Sequence, residues 1–214
     1  MKTALLKLVP EHSPDSVLGK KRNLPPRRRP NAEFRKREYL TTDEMNRLFK
    51  AVRKNRYAAR DYCLLLLMAR HGLRVSEAIT LKVEQIDFAN SSLYVKRLKG
   101  SKSSTHPLAG VEMRAIRTLL KRMPSTTWLF LSNRAAPMTR GNVQAIFAKA
   151  GKDAGLPFRV HPHQARHYTG WALCNRPNPV DIRTLQNWMG HSNPTHTIRY
   201  SELAPGRFRG IWDD

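Results

Sequence analysis

Apolar residues recur at helical spacing along most of this chain. Thr41-Thr42-Asp43-Glu44 is a capping box, and Met45, Leu48, Phe49 and Val52 after it share one face, which predicts a first helix. A second helix is predicted over about 57–70, with the leucine-rich run 64–68 as central core, and Gly72 breaks it. Residues 74–79 read as a short third helix. The period then changes: Leu93-Tyr94-Val95 and residues 104–108 read as two strands joined by a polar turn, Lys99-Gly100-Ser101-Lys102. Helical spacing returns over 111–122, with Ile116, Leu119 and Leu120 on one face, and again after Thr139, with Val143, Ile146 and Phe147 inward. Between these two, the apolar run Trp128-Leu129-Phe130-Leu131 is ambiguous between a strand and a buried turn.

Pro162 suits the first turn of a helix that continues to about residue 173. Asn175-Arg176-Pro177-Asn178-Pro179 is a stiff connector, and a helix over 180–189 should end at Gly190 as a left-handed cap. Asn193-Pro194 reads as N-cap and first position of a last short helix carrying Tyr200. The fold class is therefore mainly α (α+β), a helical body with a small antiparallel β-sheet and no internal repeat.

Charge adds a second division. Residues 1–37 hold 11 basic and 3 acidic residues and prolines at 10, 14, 25, 26 and 30, so they read as a flexible basic arm preceding a globular body over 38–214. Lys20, Lys21, Arg22, Arg27, Arg28 and Arg29 are its candidate DNA contacts, the plainer alternative being a solvated tail. The whole chain carries 39 Lys and Arg against 16 Asp and Glu, a formal +23; the arm supplies 11 − 3 = +8, leaving +15 on the body. Such an excess calls for a polyanionic partner, with nucleic acid ahead of an anionic membrane surface. No run approaches the ~18 apolar residues of a membrane span. Cys63 and Cys174 lie in apolar sequence without a C-x-x-C spacing, which points to buried free thiols in the cytoplasm and to no zinc site.

A metal-assisted nuclease needs clustered carboxylates, and the acidic residues here are scattered, with no D-x-D or H-E-x-x-H pattern. The other route to a phosphodiester is a side-chain nucleophile, with guanidiniums on the non-bridging oxygens and a proton donor for the leaving oxygen. His163-Gln164-Ala165-Arg166 puts an imidazole and a guanidinium on one helix face, His191 follows Gly190, and Tyr200 lies on the next helix. Arg74 and Lys99 from the first half complete the set. Each element alone is commonplace; their order and spacing carry the inference. His161, His167 and His196 suggest a zinc cluster, but no carboxylate or thiolate accompanies them, so neither metal nor cofactor is assigned. Trp171 and Trp188 read as packing residues.

The order Arg…Lys…His-x-x-Arg…His…Tyr resembles the tyrosine site-specific recombinases, the phage-integrase family. The carrying blocks are G-L-R-V-S-E at 72–77, L-K-G-S-K at 98–102, H-P-H-Q-A-R-H at 161–167 and M-G-H-S at 189–192. Within the family the chain is most similar to the short fimbrial phase-switch invertases, through R-L-K at 97–99, S-T-H-P-L at 104–108 and G-R-F-R-G-I-W-D at 206–213. The resemblance implies that Arg74 and Arg166 clamp the scissile phosphate. It implies that Lys99 protonates the leaving 5′ oxygen, with Lys102 as the substitute if the hairpin register slips. His163 and His191 would hydrogen-bond the phosphate and help move the Tyr200 proton, and Glu77 would orient the cations. Tyr200 would attack, leaving a 3′-phosphotyrosine and a free 5′-hydroxyl, and the surrounding cations are expected to favour its phenolate.

The implied partners are double-stranded DNA with short inverted-repeat sites and three further copies in a homotetramer on DNA, with no membrane. Residues 201–214, with Phe208, Ile211 and Trp212, would dock on a neighbour. Most members carry a core-binding domain where this chain has the arm. A DNA-binding regulator without catalysis and a type IB topoisomerase-like enzyme are the competing functions.

Overall fold

The computed structural model describes residues 38–98, 100–123 and 126–202. Along them run α1 (Thr42–Val52), α2 (Ala58–His71), α3 (Val75–Ile79), a 3-10 turn (Val83–Gln85), β1 (Ile86–Asp87), β2 (Ser92–Val95) and β3 (Ser104–Pro107). There follow α4 (Gly110–Leu120), α5 (Arg140–Asp153), α6 (Pro162–Cys174), α7 (Ile182–Met189) and α8 (Thr195–Glu202). The expected class holds: a helical body with one small antiparallel sheet, strand order β1-β2-β3. The arm residues Lys20, Lys21, Arg22, Arg27, Arg28 and Arg29, the hairpin Lys99 and residues 203–214 lie outside the described residues.

Local signals account for several helix ends. Thr41 Oγ1 accepts the Glu44 N–H at 3.3 Å while the Glu44 carboxylate accepts the Thr41 N–H at 2.9 Å, closing the box that starts α1. α2 and α7 end at Gly72 (φ +58°) and Gly190 (φ +65°), both left-handed. The start of α7 departs from expectation. It begins two residues later than the sequence predicts because Asp181 caps it, its carboxylate accepting the Thr184 N–H at 2.9 Å. β1 is also unpredicted. It pairs Ile86 with Leu93 and Asp87 with Ser92, and two residues are too few to show a period. The ambiguous run at 128–131 is a buried extended crossing, held by single bridges from Trp128 to Lys82 and from Leu131 to Pro137.

Two apolar clusters hold these elements. In the larger, every residue of α2 from Cys63 to Ala69 is buried, and α2 packs between α4 and α6. Each fully buried leucine there contributes about 1.5–3 kcal/mol relative to exposure. The smaller cluster, Cys174, Leu185, Met189 and Tyr200, joins α6, α7 and α8. Both cysteines are free and buried. Among the described residues no helix is long and apolar enough to cross a membrane.

Candidate active site

The cationic half of the site is built on helix ends. Arg74 is the N-cap residue of α3; its N–H donates to Glu77 Oε2 at 2.8 Å and its Nη1 to Glu77 Oε1 at 2.7 Å. The same Nη1 reaches Ser101 Oγ at 3.2 Å, across in the hairpin turn. Arg74 keeps 31% of its side chain exposed, available to an incoming anion. Glu77 is buried; loss of water would raise its carboxyl pKa, but Arg97 and Arg74 outweigh that and hold it below the usual range. Arg166, buried on α6, donates to the carbonyl of Gly72 and, at 2.7 Å, to that of Met189. Burial, then the neighbouring Arg74 and Arg97, bring its pKa down to about 9. Three guanidiniums are thus gathered around one carboxylate, which pairs directly with Arg74 and Arg97. Such a site is electrostatically short of an anion, and a phosphate fits the deficit.

Arg97 is the cation to which the sequence attached no role. Its side chain is wholly buried, donating from Nη1 to Glu77 Oε2 at 2.8 Å and to Gly72 O at 3.3 Å, and from Nη2 to His71 O at 3.0 Å and to Trp188 O. Its Nε has no hydrogen-bond partner and lies against Gly190, where a Cβ would stand 2.8 Å from it. Arg97 therefore ties the end of β2 to the last turn of α2 and to the end of α7. Lys102, exposed, presses its backbone carbonyl on the same glycine.

Tyr200, on α8, is 5% exposed, and its ring lies over Gly170 of α6. The expected lowering of its pKa does not occur in the free protein. Burial raises it, with Arg166 and Arg199 opposing less strongly, so the phenol keeps its proton. Its hydroxyl sits 3.1 Å from Nδ1 of His167, a residue assigned no part in the chemistry by its position in the sequence. His191 follows the Gly190 cap and lies nearly parallel to the Tyr200 ring, with centroids 6.4 Å apart. Its Nδ1 is engaged with Thr197 Oγ1 at 2.9 Å, leaving Nε2 for another partner. Burial, then Arg166 and Arg74, push its pKa down to about 3. His163 is exposed and meets His167 edge-on at 4.4 Å; desolvation by the surrounding protein and the charges of Arg166 and Arg74 lower its pKa. Arg74, Arg166, His163, His191, Tyr200 and Glu77 are therefore brought together. His196 packs edge-on to His191 at 5.9 Å, and among the described residues no three His, Cys, Asp or Glu side chains are placed to share a metal ion.

A signal for His167 existed: it lies four residues after His163, hence on the same helix face. Nothing local marks Arg97 or Thr197, whose partners come from other elements. The same holds for a buried chain behind the site, in which Ser104 Oγ contacts His106 Nε2 at 2.9 Å, the Nδ1 atoms of His106 and His71 are 3.0 Å apart, and His71 Nε2 meets Glu112 Oε1 at 2.7 Å. Trp188 stacks on His106, so this tryptophan is a packing residue as expected.

A helical body with a β-hairpin, holding a buried tyrosine beside an Arg, His-x-x-Arg and His cluster, defines the tyrosine recombinase class. The phage integrase family profile matches residues 38–207, and the chain belongs to that family. It is 40% identical over 187 residues to the type 1 fimbriae regulatory protein FimB of Escherichia coli (strain K12), covering 85% of this chain and 92% of that one. The crystal structure of XerA recombinase superposes with a TM-score of 0.69 at 28% identity, over 81% of this chain and 63% of that chain, so the present chain spans under two thirds of that protein. The fold is also that of the Tn1549 transposon integrase in complex with a circular intermediate DNA (TM-score 0.68, 22% identity, 76% of this chain and 60% of that one).

Proposed function

We propose that this chain recombines DNA at specific sites by cutting and rejoining strands through a 3′-phosphotyrosine at Tyr200. The observation that carries the reading is the convergence of the Tyr200 phenol with Arg74, Arg166 and His191 around three guanidiniums and one carboxylate. Arg74 and Arg166 neutralise the scissile phosphate, which gains charge as the phenol oxygen adds. His163 and the free Nε2 of His191 donate to its oxygens, and Glu77 keeps Arg74 aimed. Lys99, or Lys102 in its place, protonates the 5′ oxygen that leaves. The phosphotyrosine conserves the energy of the broken bond, so rejoining requires neither nucleotide nor metal.

DNA with short inverted repeats, four copies of the chain per synapse, docking through 201–214 and a cytoplasmic location complete the reading. The arm over 1–37 adds phosphate contacts through Lys20, Lys21, Arg22, Arg27, Arg28 and Arg29. The test begins with full-length protein mixed with fragmented DNA from its source genome. Fragments that stay attached in detergent are sequenced, and the recovered site is rebuilt as a nicked suicide duplex. The wild type should trap on it as a covalent adduct and Tyr200→Phe should not. Failure of the wild type to trap any fragment refutes the reading.

A further inference from the structure

Tyr200 hydrogen-bonds neither of the two histidines expected to manage its proton. Its hydroxyl stands 3.1 Å from His167 Nδ1, while the other ring nitrogen of His167 points at Glu38 Oε2, 3.8 Å away. Glu38 also receives Arg199, the residue before Tyr200, at 3.6 Å. The two ring nitrogens of His167 thus face a hydroxyl on one side and an acid on the other, drawn from α8 and from the segment before α1. From this geometry we infer that His167 is the base that takes the Tyr200 proton during strand cleavage, with Glu38 steadying the imidazolium that forms. The inference rests on the proposed phosphotyrosine chemistry and assigns one proton within it.

Neutral His167 has a single acceptor nitrogen. The Glu38 carboxylate beside Nε2 favours the tautomer with its proton on Nε2, which leaves the lone pair on Nδ1, the atom that faces the phenol. Burial, then the charges of His163, Arg199, Arg166 and His161, hold the His167 pKa down to about 3, so the ring is in its accepting form at neutral pH. Glu38 is the anion facing it, and a bound phosphate would add another beside the same cations, raising its basicity when substrate is present. In the step itself, the phenol O–H proton passes to His167 Nδ1 as the phenol oxygen bonds to phosphorus. The bond from phosphorus to the 5′ oxygen breaks with its electron pair on oxygen, and the cationic acid of the hairpin protonates that oxygen. Rejoining reverses each transfer. His163, exposed and edge-on to His167, is left free to donate to the phosphate.

The test uses full-length protein on the nicked suicide duplex recovered with the wild type, in single turnover. His167→Ala and His167→Gln should each cleave about 10²–10⁴-fold more slowly, the range for loss of a positioned base. Glutamine can still accept the phenol hydrogen bond but cannot carry the proton, so its rate should also lose the acid limb of the wild-type pH profile. Glu38→Gln should slow cleavage less than either. A duplex whose leaving 5′ oxygen is replaced by sulfur needs no acid; it should restore Lys99→Ala and leave His167→Gln slow. A thermal melt of His167→Gln matching the wild type separates the effect from misfolding. Cleavage by both His167 variants within about twofold of wild type overturns the assignment, as does recovery of His167→Gln on the sulfur duplex. Because these outcomes are read against a wild type that forms the adduct, they leave the recombinase reading standing, whereas its own failure is a wild type that never traps DNA.

Discussion

At the scale of single residues, the proposed nucleophile owes its place to a missing side chain. A Cβ on Gly170 would stand 2.6 Å from three atoms of the Tyr200 ring, so only glycine lets α8 lie this close to α6. Gly170→Ala gains about 1 kcal/mol of helix propensity and costs about 1–3 kcal/mol of overpacking, so the fold should survive with a small change in melting temperature. The ring must move, however, and a displacement near 1 Å is enough to cost about 10²-fold in rate. Adduct formation on the suicide duplex should therefore fall by that order while the melt barely shifts. A variant that cleaves at the wild-type rate would show that the phenol is not positioned by this contact.

At the scale of elements, Arg97 is the joint between β2, α2 and α7. Removing it as Arg97→Met leaves Glu77 with one cation instead of two and strips donors from three carbonyls, those of His71, Gly72 and Trp188. Breaking a buried pair in this way costs about 3–5 kcal/mol, which a urea titration would register as a lower midpoint. Arg97→Lys should recover only part, since an ammonium cannot reproduce the planar fork. The contrast with the helices explains what the sequence disclosed. α1, α6 and the ends of α2 and α7 carry their own signals, a capping box, an N1 proline and two left-handed glycines, and all were legible. Arg97, Thr197 and the His71–His106 pair have partners 6 to 91 positions away on other segments, and no local pattern encodes them. The residues proposed to react stood between these cases: their order was readable, but the partner of the Tyr200 hydroxyl was not.

At the scale of the whole molecule, the basic excess that points to DNA is matched inside by histidines kept neutral. His106, His167 and His191 each have a pKa pushed down to about 3, in every case by burial first and then by neighbouring positive groups. In the unfolded chain these imidazoles return to about 6.5. Below that value the unfolded state takes up protons that the folded state refuses, so stability is complete above pH 6.5 and is lost as pH falls towards 3. Glu77 and Glu112, both held below their ordinary range, add to the loss further into acid. The urea midpoint should be lower at pH 5 than at pH 7, with up to about three protons taken up on unfolding. An unchanged midpoint would contradict the burial of these rings.

The interlock at Gly190 has one further consequence. Arg97 lies against that glycine, shares the Gly72 carbonyl with Arg166 and shares the Glu77 carboxylate with Arg74, so one set of contacts links all four residues. The same contacts reach Tyr200, because Met189, whose carbonyl Arg166 holds, packs with Tyr200 in the small apolar cluster. A change that loosens α7 would therefore disturb the cations and the phenol together.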